Sequence, residues 1–382
     1  MECTHIGKTK TVSLLLETSK SFKSLVHIIK QSNRLMKKDK IDALGIRFGC
    51  DPEFFFSKNG KIIGADKVLP EKGLDIHWRQ SSVIIDGVQA ELNPAPSFCR
   101  QVLANNIVAS FRLLKEHISE KNVGIDFKQT IELTQSELDG MSKKSKKFGC
   151  APSRNAYRGS SKITVNPEIY KYRSAGGHIH IGHNGEYDVI EALKNPTRIV
   201  RMFDLIVGNT CVLIDRDPAN IERRKVYGKA GEYRMPKHGI EYRTLSNFWL
   251  RSYPLMSLVM GLSRVAISFV VSGYDKELLE LVDMKEVRTA INENDFKLAL
   301  KNYKKIEKVL YSKIPIGDQH FDINPNNYAL FRYFIKKGLD HWFPQNPIDY
   351  WTEIETAINR KGFGKFLNSV VRTDYKNSKK KV

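Results

Sequence analysis

Apolar and polar positions change period several times along this chain. Between residues 11 and 40 the apolar positions Leu14, Leu15, Leu16, Phe22, Leu25, Val26 and Ile29 are spaced among lysines, which predicts a basic amphipathic helix. From 45 to 93 the pattern becomes strand-like. "GIRFGCDPEFFFSKNGKIIGAD" predicts a strand, an Asn-Gly turn and a returning strand. "SSVIIDGVQAELNPAP" predicts a second hairpin, turning at Asp86-Gly87. Residues 97–120 read as a helix, and 136–149, "SELDGMSKKSKKFG", as a lysine-rich loop. "GGHIHIG" reads as a strand, 189–214 as a helix, and 231–247 as an irregular segment followed by a short strand. From 275 onward the chain reads as helical and basic, with a frayed end. Strands and helices mix without a βαβ rhythm, so the expected class is α+β.

The most apolar stretch, "PLMSLVMGLSRVAISFVVSG" at 254–273, holds Arg264 near its middle and several serines. Charge at a bilayer centre is costly, so a buried core helix is expected there, with no membrane partner. No signal peptide is read in the first twenty residues, where the apolar run is short and acidic residues interrupt it. Sixty-two Lys and Arg against 42 Asp and Glu give a net charge of +20, which favours polyanionic partners. Five cysteines (Cys3, Cys50, Cys99, Cys150, Cys211) lie scattered without CxxC pairs, which argues for reduced thiols in the cytoplasm and against a disulfide framework or a structural zinc site.

Phosphate-cradling glycine loops and a serine nucleophile elbow are absent from the sequence. Four strand-borne clusters remain. In "GCDPEFFF" the carboxylates of Asp51 and Glu53 project the same way if the segment is extended, and Pro52 between them favours a sheet edge or a site rim. In "DGVQAELNP", Glu91 ends a strand. In "SAGGHIHIG", alternation puts Ile179 and Ile181 toward a core and His178 and His180 together on the other face. Gly176 and Gly177, lacking a Cβ, permit close approach by a backbone or ligand. In "GEYRMPKHGIEYRTLSN", Glu232 shares a face with Arg234, and Glu241 with Arg243. Each cluster alone has an ordinary surface or packing explanation. Together, carboxylates and imidazole make a site for hard divalent cations, and arginine forks bind phosphate oxygens. That mixture suits phosphoryl transfer.

The ordered set "DPEFF", "DGVQAELNP", "FGCAPSRNAY", "AGGHIHIG", "YGKAGEYR" and "GIEYRTLSN" resembles the glutamine-synthetase-like carboxylate–amine ligases (amidoligases), particularly the phage type, over roughly residues 45 to 272. The resemblance implies a curved, mostly antiparallel sheet backed by helices. It corresponds to a catalytic domain at 45–273, while the residue pattern sets apart a basic helical segment at 1–44 and a mainly helical basic region at 274–382. It implies ATP with Mg2+ or Mn2+, and amide or peptide-bond formation through an acyl phosphate. Metal ligands carried over are Asp51, Glu53, Glu91, His178 and Glu241. His178, His180, Arg234 and Arg243 carry over as contacts to the nucleotide phosphates, and Arg234, Arg243 and Glu241 as catalytic groups, with Glu232 a weaker ligand match. Host cytoplasm is the implied location for a phage-encoded chain.

Asp51 stands where glutamine synthetases carry a glutamate, and its shorter reach lowers the expected metal affinity. The loop at 136–149 and the C-terminal region have no counterpart in the resemblance; recognition of an acidic protein or peptide substrate is one reading of them, and plain solubility and packing the simpler one. Neither the carboxylate and amine substrates, the general base nor the oligomeric state is legible. The competing readings are a zinc-dependent hydrolase, a phosphagen-type kinase, and a non-catalytic basic nucleic-acid-binding or virion-associated protein; nucleic acid is the less favoured partner.

Overall fold

The computed structural model describes residues 46–76, 80–97, 100–148, 153–161, 165–183, 191–313 and 347–352. The helix expected at 11–40 lies outside these residues, as does most of the chain beyond 313. Strands β1 (Ile46–Cys50), β9 (Ser153–Asn155), β10 (Gly159–Ser161), β12 (Ile179–His183), β13 (Glu232–Arg234) and β14 (Gly239–Tyr242) form one sheet in the order β1-β12-β14-β13-β9-β10. A second sheet runs β3 (Lys61–Ile63), β2 (Glu53–Lys58), β6 (Gln89–Asn93), β5 (Ser81–Asp86), β4 (Leu74–Ile76), with β7 (Gly124–Asp126) also paired to β2. A two-stranded sheet joins β8 (Thr130–Glu132) to β11 (Tyr172–Ser174). All strand pairs among the described residues are antiparallel, in keeping with the α+β class.

The Asn-Gly turn is where the sequence puts it. Asn59 and Gly60 both take positive φ (51° and 75°), as the favoured two-residue hairpin turn requires. The second hairpin is displaced by one residue. Asp86 is the last residue of β5, paired with Gln89, and the turn is Gly87-Val88 with Gly87 at φ 61°. The segment 136–149 is not a plain loop. It holds two short helices, Gln135–Asp139 and Lys143–Lys146. Thr134 and Glu137 cap the first reciprocally, and the Ser142 hydroxyl accepts from the Ser145 amide at the start of the second.

Helices back the sheets on one side. Pro196–Phe203 packs on β14, Arg100–Ile118 on β4 and β5, and Tyr253–Val271 against both helices. Tyr253–Val271 is buried along almost its whole length. It is long and apolar enough to cross a membrane by composition, but its surface is spent on protein core. A π-helical turn, Asp204–Gly208, follows Pro196–Phe203 and presents the buried Asp204 to the hydroxyls of Tyr242 (2.8 Å) and Tyr157 (2.9 Å), which fastens β14 from behind. Burial pushes the Asp204 carboxyl up to about 7, with the two hydroxyls opposing.

Candidate active site

Between Cys50 and Glu53 the chain crosses from the first sheet to the second, and the polar cluster sits at this crossing. Directly opposed residues of antiparallel strands project to one face. The pairs His180–Glu241 and Glu241–Arg234 therefore set these three side chains in a row across β12, β14 and β13. The alternate positions Ile179, Ile181, Ile240 and Tyr242 are fully buried against the helices. In the second sheet Glu91 opposes Glu53 on one side and Ile84 on the other, and Asp86 shares the face of Ile84. Residues of both sheets line one cavity of about 230 Å³: Asp51, Glu53, Asp86, Glu91, His178, Arg234, Arg243 and the lone apolar Ile84.

Asp51 and Glu53 open on the same cavity but belong to different groups. Asp51 joins His180 and Glu241, whereas Glu53 joins Asp86 and Glu91; within each triad one ligand atom per residue lies within 4.8 Å of the others. Pro52 is the pivot between them. Its carbonyl accepts from the Leu92 amide at 3.0 Å, anchoring the crossing to β6.

Glu241 is the hub of the first group. Arg234 donates to it through Nε and Nη2, both at 2.6 Å, a bidentate fork. Arg243 Nε stands 3.1 Å away, and Arg243 Nη1 donates to Ser153 Oγ at 2.6 Å. His178 Nδ1 lies 3.2 Å from Asp51 Oδ1 and 3.4 Å from Glu241 Oε1. His180 Nε2 lies 3.0 Å from Asp51 Oδ2, and its Nδ1 faces Nε2 of the exposed His238 at 2.9 Å. Glu232 lies elsewhere: its carboxylate accepts from the Gly228 amide at 2.8 Å. The buried Arg223 donates to the carbonyls of Thr244, Arg243 and Leu245, holding the strand exit beyond Glu241 in place.

In the second group Glu53 accepts from the Gly176 amide at 2.8 Å, and Gln89 Nε2 reaches it at 3.3 Å. The Tyr227 hydroxyl donates to Ser174 O at 2.9 Å and stands 3.4 Å from Glu53. Asn93 Nδ2 donates to Glu91 at 2.8 Å.

Electrostatics separate the two groups. Burial acts to raise the Asp51 carboxyl, but the imidazoles of His180 and His178 outweigh it and hold the group far below the usual range. Burial likewise opposes ionisation of Glu241, and His178 and Arg234 overcome it. In the other triad nothing does so. Burial and the charges of Asp86 and Asp51 push Glu53 up to about 8. Burial, then Asp51, Asp86 and Glu53, raise Glu91 well above its ordinary value. Burial and Asp51 raise Asp86. Arg234 and Arg243 act on Asp86, and Arg223 on Glu53, without offsetting burial and mutual repulsion; a divalent cation would supply the missing positive charge. The first group offers a matching observation: the buried Asp51 Oδ1 and His180 Nε2, and Nε2 of the neighbouring His178, have no hydrogen-bond partner among the described residues. Both donor sets, carboxylate oxygens with or without imidazole, fit a hard or borderline divalent ion.

The missing Cβ of the glycines before His178 permits the close approach that the sequence suggests. A Cβ at Gly176 would lie 2.5 Å from His178 Nε2, and one at Gly177 would collide with the Ser246 carbonyl and lie 2.5 Å from Trp249 Nε1. Gly177→Ala should therefore cost about 2–3 kcal/mol, as overpacking against backbone does, read as a lowered urea midpoint with an unchanged denaturant slope.

Asp86, Tyr227, Gln89 and His238 are site residues that the sequence reading did not single out. Asp86 was assigned to a turn, and Tyr227 and His238 sit in segments without periodicity.

Residues 160–314 match the family described as Phage phiEco32-like COOH.NH2 ligase-type 2. No curated protein sequence matches the chain. Among solved structures, a bifunctional glutathione synthetase from Pasteurella multocida is similar at TM-score 0.42 and 11% identity, over 87% of this chain and 52% of that one; the chain thus spans about half its length. A novel glutamine synthase homolog is similar at TM-score 0.30 and 11% identity, over 81% of this chain and 74% of that one. GmaS in its apo form is similar at TM-score 0.36 and 12% identity, over 78% and 72%. The segment similar to the phage-type carboxylate–amine ligases carries β12, β13 and β14 with His178, His180, Arg234, Glu241 and Arg243.

Proposed function

We propose that this protein is an ATP-dependent carboxylate–amine ligase working through an acyl phosphate, in a cytoplasmic setting. The observation that carries the reading is two metal-donor groups meeting at one cavity, the first reaching it through Asp51 with His178 alongside and the second through Glu53, Asp86 and Glu91, beside two lining arginines, Arg234 and Arg243. A zinc hydrolase would not need the arginines, whereas phosphoryl transfer uses both the metal groups and the arginines. Asp51, His180 and Glu241, with His178 beside Asp51 and Glu241, would hold one divalent cation, and Glu53, Asp86 and Glu91 another. Bound there, the cations supply neutralisation of phosphate charge.

The chemistry proceeds in two balanced steps. A substrate carboxylate oxygen attacks the γ-phosphorus of ATP, and ADP leaves. An amine nitrogen then attacks the acyl carbon, inorganic phosphate leaves, and the nitrogen loses a proton. Arg234 and Arg243 serve as fixed forks for the phosphoryl oxygens, oriented before substrate arrives by Glu241 and Ser153.

The test is calorimetric titration of metal-stripped protein with ATP, with and without Mg2+. Binding that requires Mg2+, and that Glu53→Ala and His178→Ala weaken at least about tenfold, is the expected result. Absence of ATP binding with Mg2+ present overturns the reading, and tight zinc binding in its place would favour a hydrolase.

A further inference from the structure

The short basic helix Lys143–Lys146 is fastened beside the site. Asp66 accepts from the hydroxyls of Ser142 and Ser145, each at 2.5 Å, and Ser145 is fully buried. Lys67 Nζ donates to the Gly140 carbonyl at 2.7 Å. The buried Arg173 donates to the carbonyls of Lys146 (3.2 Å) and Pro167 (2.7 Å) and lies 5.0 Å from the Phe148 ring centroid. Against this segment rests the tip of the β5–β6 hairpin. A Cβ at Gly87 would collide with the Lys147 carbonyl and come 3.5 Å from that of Ser145. Gly87 directly follows Asp86, whose side chain lines the cavity.

The clamp thus holds a run with four lysines in five positions, Lys143, Lys144, Lys146 and Lys147, and the Lys147 carbonyl lies against Gly87, the residue after the cavity-lining Asp86. Lys143, Lys144 and Lys147 are exposed. Among the described residues, Lys144 alone of the four meets a carboxylate within 4.0 Å, the exposed Glu71 at 3.8 Å. Concentrating like charge on a rigid, seryl-anchored turn opposes folding. Dispersed lysines would serve solubility without that penalty. A fixed positive rim beside a catalytic cavity steers and registers a negatively charged partner.

Resting on the ligase reading above, we propose that the segment Lys143–Lys147 is the docking surface for an acidic peptide segment of the substrate, which delivers one carboxylate into the cavity. An extended acidic peptide fits better than a free small carboxylate, because no lysine of this run lines the cavity itself and only a longer chain can place one carboxylate in the cavity and others on the exposed Lys143, Lys144 and Lys147.

The experiment measures fluorescence anisotropy of a labelled octaglutamate peptide, with and without Mg2+ and ATP, against the full-length wild type. The test variant carries serine at Lys143, Lys144, Lys146 and Lys147. A control variant carries serine at Lys297, Lys301, Lys304 and Lys308, which removes the same charge from another helix. ATP binding is measured in parallel. The expected result is roughly ten- to thirty-fold weaker peptide binding in the test variant, a small change in the control, and unchanged ATP affinity. Asp66→Ala, which keeps the lysines but cuts their anchor, should weaken the peptide severalfold. Equal loss in the control, loss of ATP affinity in the test variant, tighter binding of a single-stranded DNA of equal charge, or no binding of the peptide by the wild type would each overturn the proposal. Failure of ATP binding in the wild type, with lysine-dependent peptide binding intact, would overturn the ligase reading and leave the docking surface standing.

Discussion

Glu241→Ala is expected to cost about 3–5 kcal/mol of stability, the loss usual when one partner of a buried charge network is removed, and to abolish Mg2+-dependent ATP binding. Three positive or protonatable groups converge on this carboxylate: the Arg234 fork at 2.6 Å, Arg243 at 3.1 Å and His178 at 3.4 Å. Arg243 is almost wholly buried, and removing Glu241 leaves its guanidinium without the carboxylate that faces it. Arg234 differs. Its side chain is 31% exposed, so water can replace the lost ion pair, and Arg234→Ala should cost only about 1 kcal/mol. Urea melts of both variants check the contrast. Similar losses would mean that Glu241 is no hub. Glu241→Gln, which keeps the shape and the hydrogen-bonding oxygen, should recover part of the stability but not the nucleotide binding.

That hub was only half legible in the sequence. Alternation in "GGHIHIG" and the repeated Glu-Tyr-Arg indicate which residues share a face within each strand. They carry no register between strands, and it is register that sets Glu241 between His180 and Arg234. The same limit hid the crossing at Asp51-Pro52. Extended residues on either side of the proline read as one two-sided segment, yet β1 and β2 belong to different sheets, and the two neighbouring carboxylates divide between two triads. Asp86 was concealed by a local signal with a different outcome. Asp-Gly favours a turn, but Gly87-Val88 provides the turn here and leaves Asp86 on the strand face. The first helix near 136–149 carries a local mark in the sequence, Thr134 three residues before Glu137, a capping box. The buried helix at Tyr253–Val271 and the Asn59-Gly60 turn were legible because each rests on a strong local rule, apolar length in one case and positive φ in the other.

Proton release on metal binding is the second large effect expected. The Glu53 carboxyl stands at about 8 in the metal-free fold, against an ordinary value of 4.5. The folded state therefore holds a proton that the unfolded chain has lost throughout that interval. Stability depends on pH through the difference in bound protons. With more protons on the folded state, the metal-free protein is most stable below about 4.5 in this respect and loses that contribution as pH rises through 8. The raised values of Glu91 and Asp86 act in the same direction. A cation binds only the ionised carboxylates, so it must displace these protons. Mg2+ affinity should then climb with pH, by up to about tenfold per unit for each proton displaced. Calorimetry in two buffers of different ionisation enthalpy would read the released protons directly. Urea midpoints between pH 5 and 8.5 should fall with pH in the metal-free protein and flatten in excess Mg2+. Glu53→Gln, neutral at every pH, should weaken both trends; a slope unchanged in that variant would show that Glu53 is not the group being titrated.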